Sequence, residues 1–211
     1  PTGTGPGIVL IQEIFGVNQH IRDVADQYAS DGFVVLAPDV FWRQEPGVDI
    51  GYDEAGFQKG FALMQSMDFP KAVEDICTAA QVLKNRPEVQ GKVASLGYCM
   101  GGMLSYLTCT TPGAVDASVC YYGGGIHTAL DRAPQAKTPM LMHFAEKDGF
   151  IPMEAVAQIK AAFASNSDVH IHTYPGVDHG FNCWGRPVYQ QKAAALARGR
   201  TLEFLSKNLS V

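Results

Sequence analysis

Between an apolar run at residues 93–96 and a helix-compatible segment at 102–110 lies Gly97-Tyr98-Cys99-Met100-Gly101, and no other stretch restricts the possible folds as tightly. A residue caught between a buried strand and a helix reverses direction within a few bonds, often with strained backbone angles. Only small residues then fit two positions to either side. Gly97 and Gly101 occupy those positions. The turn lifts the Cys99 side chain above the sheet edge and places its sulfur near the positive end of the next helix, where a thiolate is favoured. Cysteine thus stands where this turn usually carries a nucleophilic serine.

Around the turn, apolar β-branched runs alternate with segments of helical period, the pattern of a mostly parallel sheet covered by helices on both faces. Residues 8–11, 33–37, 93–96, 115–122, 140–144 and 169–174 read as strands. Asn18 caps a helix whose inner face is Ile21, Val24, Ala25 and Tyr28, ended by Asp31-Gly32. A second helix is expected over 52–67, after a loop at 41–51. The clearest spans 71–86, where Ala72, Val73, Ile76, Ala79, Ala80 and Leu83 form an apolar stripe closed by Pro87. Further helices are expected over 153–164 and across the C-terminal segment. At 211 residues, 46% hydrophobic and 18% charged, the chain reads as one globular domain, 1–211.

The formal net charge of −5 leaves no basic footprint for nucleic acid or an acidic membrane, and no apolar run approaches the roughly 20 residues that span a bilayer. A small molecule is the expected partner; whether one chain or a homodimer acts is left open. The five cysteines, Cys77, Cys99, Cys109, Cys120 and Cys183, are odd in number and lack C-x-x-C spacing, which argues against a disulfide framework, a thioredoxin-type motif and a zinc knuckle. They suit a reducing cytoplasm, and Cys109 and Cys120 read as packing residues. His170 and His172 share a strand face but have no third ligand at a suitable spacing. The glycine run at 123–125 lacks the spacing and the lysine of a phosphate loop. Neither a metal site nor a cofactor is expected.

Ligand chemistry in an open α/β sheet gathers beyond the carboxyl ends of the strands. Asp148 follows the fifth expected strand and His179 the last. With Cys99 they give the chain order nucleophile, acid, base, which is that of the α/β hydrolases and not of chymotrypsin or subtilisin. In such a set the imidazole deprotonates the thiol and later protonates the leaving group, while the carboxylate fixes the tautomer. The loop after the first strand, Gln12-Glu13-Ile14-Phe15-Gly16, is placed to supply half of an oxyanion hole. The backbone amide of Ile14 would act with that of Met100, and Glu13 would lie over the thiol.

These residues resemble one family closely, the dienelactone hydrolases or carboxymethylenebutenolidases. The resemblance runs from Ile8 to about Leu205 and is most specific at residues 12–18, at Pro38-Asp39 with Arg43-Gln44 and Pro46-Gly47, and at 97–102. Tyr121-Tyr122-Gly123 and the loops of Asp148 and His179 also match. It implies an α/β-hydrolase domain, a Cys99, Asp148, His179 triad, and Glu13 as a thiol partner that keeps the resting cysteine protonated. It implies hydrolysis of enol lactones and activated esters through an acyl-cysteine, with one or two further strands expected before Ile8 and missing from a truncated start. The two arginines with which the family holds a substrate carboxylate correspond to Phe57 and Cys183, and pocket-lining aromatic positions read Phe61 and Met64. The substrate-binding residues are therefore expected to be Phe57, Phe61, Met64 and Cys183, with a preference for neutral or apolar esters. Lys59 and Arg186 stand near enough to replace the missing clamp.

Two other readings share the reactive cysteine. A cysteine amidase or amidotransferase would need better protonation of the leaving group than ester cleavage does. A non-catalytic thiol-based ligand binder or peroxide sensor would oxidise reversibly without ester turnover; a carboxylate at Glu13 argues against it, because it disfavours a thiolate.

Overall fold

A computed structural model describes residues 3–209. Their strands are β1 (Gly5–Ile11), β2 (Val34–Leu36), β3 (Val89–Tyr98), β4 (Ala117–Tyr121), β5 (Met140–Ala145) and β6 (Val169–Tyr174). The helices are α1 (Gln19–Ser30), α2 (Glu54–Gln65), α3 (Phe69–Lys84), α4 (Met100–Cys109), α5 (Met153–Ala162) and α6 (Gln191–Leu209). The strands form one sheet in the order β2-β1-β3-β4-β5-β6, and every neighbouring pair is parallel. All carboxyl ends therefore lie along a single edge. The order reverses between β1 and β3, and a crevice for ligands opens at such a switch point. Glu13 follows β1 and Cys99 follows β3, so the two residues flank it.

Three helix starts follow the side-chain capping rules. Asn18 Oδ1 accepts from the Ile21 amide, Asp53 Oδ1 from Gly56 and Asp68 Oδ1 from Lys71. These caps move two starts from their expected places: α2 begins at Glu54 and not at 52, and α3 begins at Phe69, with Pro70 in the first turn where its missing N–H costs nothing. Strand β2 is shorter than the expected 33–37. Strand β3 starts at Val89, four residues early, and its exposed first half pairs with Gly5. The sequence offered no reading for the 3-10 segment Ile126–Gln135.

Side chains alternate across the sheet and bury each face against helices. On one face, Ser95 of β3 and Ser118 of β4 meet Ser105 of α4, each Oγ within 2.8–3.1 Å of the next. On the other, Tyr98 and Tyr121 pack with ring centroids 4.7 Å apart, and Thr201 of α6 bonds both the Tyr121 hydroxyl and His143 Nε2. The same face carries α1, tied to α6 by the Arg198–Asp31 ion pair. Cys109 and Cys120 are buried packing residues, and burial pushes both thiols up to about 12. No helix among the described residues is long and apolar enough to cross a membrane.

Candidate active site

Cys99 sits at φ 56°, ψ −117°, capping α4 with its backbone but not its side chain. Among the described residues only it and Tyr122 combine a positive φ with a side chain, a conformation that costs on the order of 1–3 kcal/mol and clusters at functional sites. The flanking glycines are required by space. A Cβ on Gly97 would stand 1.9 Å from the Gly101 carbonyl oxygen, and one on Gly101 would stand 2.4 Å from that of Ile11. Cys99 is partly exposed while the strand residues Val93–Tyr98 before it and the helix residues Met100–Gly102 after it are buried.

The loops after β5 and β6 bring Asp148 and His179 to this point. Asp148 Oδ1 accepts from the amides of Phe150 at 2.8 Å and Ile151 at 3.1 Å, which aims its other oxygen, Oδ2, at His179 Nδ1, 2.7 Å away. The Cys99 sulfur lies near enough to the His179 ring for its charge to act on it. Burial alone would lower the His179 pKa; the negative charge of Cys99, joined by Asp148, outweighs it and lifts the value to about 10. The ring of Tyr122 packs on the imidazole at 5.0 Å between centroids and the half-exposed ring of Phe150 at 5.1 Å, limiting water around the pair.

Glu13 is 1% exposed and neither of its oxygens has a hydrogen-bond partner among the described residues. The nearest cation to Glu13 is Arg186, whose Nη1 lies 3.7 Å from Oε1. Burial raises the Glu13 pKa; Arg186 and His179 pull it down. The backbone amides of Ile14 and Met100 have no acceptor among the described residues, and both residues line the cavity above Cys99.

That cavity holds about 560 Å³ and is walled mainly by apolar groups. Phe57, Phe61 and Met64 of α2 line it, the two rings stacked with centroids 6.0 Å apart. Phe15, Met67 and Phe150 complete the apolar wall, and Gly124, Gly125 and Thr128 bring the start of the 3-10 segment to its far side. Arg186 is the one guanidinium in this lining, which also includes the His179 ring and no lysine. Lys59 points away and holds Glu45 at 2.7 Å. Cys183, expected in the pocket wall, is not there. The tight turn closed by its amide on the Gly180 carbonyl directs the thiol inward, where it donates to Tyr52 Oη at 3.3 Å.

A parallel sheet that presents a strand-to-helix nucleophile turn, with an acid and a histidine on the two loops beyond it, belongs to the α/β-hydrolase class. The sequence profile of the Dienelactone hydrolase family matches residues 1–209. A protein of Azospirillum brasilense named "Putative carboxymethylenebutenolidase" is 40% identical over 211 residues, covering 98% of this chain and 89% of its own. The carboxymethylenebutenolidase of Pseudomonas putida is 35% identical over 202 residues, covering 95% and 85%. The crystal structure of a "Putative Dienelactone Hydrolase" from Klebsiella pneumoniae subsp. pneumoniae MGH 78578 superposes with a TM-score of 0.85 at 26% identity, over 98% of this chain and 88% of that one. The chain belongs to the dienelactone hydrolase family, and it is a hydrolase of small-molecule lactones or esters.

Proposed function

We propose that this hydrolase cleaves neutral, largely apolar lactones and activated esters through an acyl-cysteine on Cys99. The observation that carries the reading is the bond between His179 Nδ1 and Asp148 Oδ2, with Asp148 anchored by two backbone amides and both His179 and Cys99 facing one cavity. The Cys99 thiol gives its proton to His179 Nε2 and the sulfur attacks the carbonyl carbon, its electron pair forming the C–S bond while the carbonyl oxygen takes the negative charge. The amides of Ile14 and Met100 donate to that oxygen. Collapse expels the alkoxide, which takes the proton from His179 Nε2; in a lactone it stays attached to the acyl group as the opened ring. Water then gives its proton to His179 and attacks the thioester, releasing the acid and the thiol. Asp148 keeps Nδ1 protonated throughout and balances the imidazolium.

Glu13 serves as the group that disfavours the thiolate when the sulfur swings toward it, its carboxylate otherwise balanced by Arg186. Phe57, Phe61 and Met64 receive the apolar part of the substrate, and a cavity of this size and composition fits a small apolar molecule held by few polar groups. The test is a panel of lactones, aryl esters and matching amides. Cys99→Ala should abolish ester and lactone turnover, with an unchanged melting curve, and the parent should leave the amides intact. Undiminished ester turnover by Cys99→Ala, or amide cleavage at rates matching the esters, would overturn the reading.

A further inference from the structure

Behind the nucleophile lies a cluster that ester hydrolysis does not use in full. Glu13 comes from the loop after β1, His20 from the first turn of α1 and Cys183 from the turn after His179, and one potential ligand atom of each lies within 4.8 Å of the others. Glu13 is 1% exposed and His20 4%. Both carboxylate oxygens and both ring nitrogens lack hydrogen-bond partners among the described residues. Four buried polar atoms left unpaired are costly, and their convergence with a thiol calls for an occupant that bonds all three side chains.

Thiol, imidazole and carboxylate together are the donor set of a borderline-soft divalent cation; the sulfur disfavours magnesium and calcium, which take oxygen ligands. We propose that Glu13, His20 and Cys183 form a binding site for one Zn²⁺ ion, with the fourth tetrahedral position open to water. At zinc's bond lengths the ligand atoms stand about 3.5 Å apart, so the widest pair closes by about 1.3 Å, within the reach of side-chain rotation. The sequence concealed the set because its members are 7 and 163 residues apart and share no motif spacing.

The surroundings support the ion. Cys183 donates its S–H to Tyr52 Oη, and that oxygen also accepts from Asn18 Nδ2 at 3.1 Å. When the metal binds, the thiol proton passes to solvent and the Tyr52 hydroxyl is free to donate to the thiolate, the kind of outer partner that orients metal ligands. Arg186 Nη1 stands 3.7 Å from Oε1 of Glu13 and makes no hydrogen bond to it, so the carboxylate keeps lone pairs for the ion. Trp184, 38% exposed, lies edge-on to His20 with centroids 4.3 Å apart and separates it from solvent. A bound ion holds Glu13 away from Cys99, so it acts on the nucleophile without touching substrate.

The site does not involve Cys99, so the test uses Cys99→Ala, which removes the competing thiol beside His179 and makes the result independent of the proposed reaction. Equilibrium dialysis of this variant against Zn²⁺ is expected to give one ion per chain. Co²⁺ in its place should give a thiolate-to-metal charge-transfer band and the strong visible absorption of a four-coordinate centre. Adding Cys183→Ser or His20→Asn should weaken Zn²⁺ binding by at least about tenfold. Absence of a stoichiometric ion, a cobalt spectrum without the thiolate band, or an affinity unmoved by both substitutions would overturn the proposal. Should either substitution prevent folding, the cobalt band in Cys99→Ala decides alone.

Discussion

Arg186 lies against Glu13, its Nη1 3.7 Å from Oε1, with its guanidinium carbon 5.7 Å from the centre of the Phe15 ring and 5.9 Å from that of Tyr52. The one guanidinium of the cavity lining thus already faces a protein carboxylate, and Lys59 is committed to Glu45 outside it. A substrate carboxylate would have to compete for Arg186. Wild-type enzyme should therefore show a lower kcat/KM for a carboxymethylene lactone than for a neutral aryl ester. Phe57→Arg, which puts a second guanidinium in the wall, should raise that ratio by about tenfold or more, since a hydrogen bond to a charged group contributes about 1.5–3 kcal/mol. Cys183→Arg should not, because that side chain faces the protein interior. A wild-type preference for the carboxylated lactone that Phe57→Arg leaves unaltered would show that Arg186 already serves as the anion receptor.

On the proposed role of Glu13, Glu13→Gln removes the carboxylate that disfavours the Cys99 thiolate and makes that thiolate easier to form. Iodoacetamide should alkylate Cys99 several times faster in the variant at neutral pH. Equal rates in the two proteins from pH 6 to 9 would remove Glu13 from the control of the thiol.

The protonation of His179 depends on Asp148 and on the charge of Cys99. Its pKa is raised to about 10 against the opposing effect of burial, and the charge on Cys99 is the largest upward contribution. A raised value means that the imidazolium persists as pH rises through the ordinary histidine range and is lost only near pH 10. Cys99→Ala deletes that contribution and leaves Asp148 alone against burial, so the ring should deprotonate at distinctly lower pH. Imidazole resonances followed by NMR check both proteins; a His179 titration near the ordinary 6.5 in wild type would contradict the arrangement.

The turn itself is testable by its glycines. In Gly97→Ala the new methyl would meet the Gly101 carbonyl oxygen at 1.9 Å, a backbone clash that should cost about 3 kcal/mol or more and lower the melting temperature by about 6 °C or more for a domain of this size. Gly199→Ala, inside α6 with nothing within 4 Å of the new methyl, should instead stabilise by about 0.5–1 kcal/mol. Thermal denaturation of the two variants separates them; equal shifts would mean that the turn relaxes freely.

Periodicity carried most of the fold, because buried parallel strands and amphipathic helices leave patterns that depend on one residue type at a time. Strand β6 was legible to the residue, and Asn18 as cap of α1 was also readable. The 3-10 segment Ile126–Gln135 was not, since it has a kink at Ala129 and an internal Pro134. Cys99, Asp148 and His179 could be placed because each follows a strand directly, where the parallel sheet leaves little freedom. Arg186 and Cys183 were harder. Both lie in a chain of tight turns after His179, where the direction of a side chain depends on local hydrogen bonds such as that from the Cys183 amide to Gly180. Position in the motif therefore suggested the pocket for Cys183 and could not assign it to Arg186. Tyr122 was visible as part of a matching motif, but its φ of 35° and its packing on His179 were not.

The central claim is that the substrate's acyl group passes through Cys99, and the most direct measurement is mass spectrometry of the enzyme quenched during turnover of a slow aryl ester. The account predicts a mass increase equal to one acyl group, mapped to the peptide containing Cys99, labile to hydroxylamine and absent from Cys99→Ala. Turnover at full rate with no adduct at Cys99, or with the acyl group mapped to another residue, would contradict it.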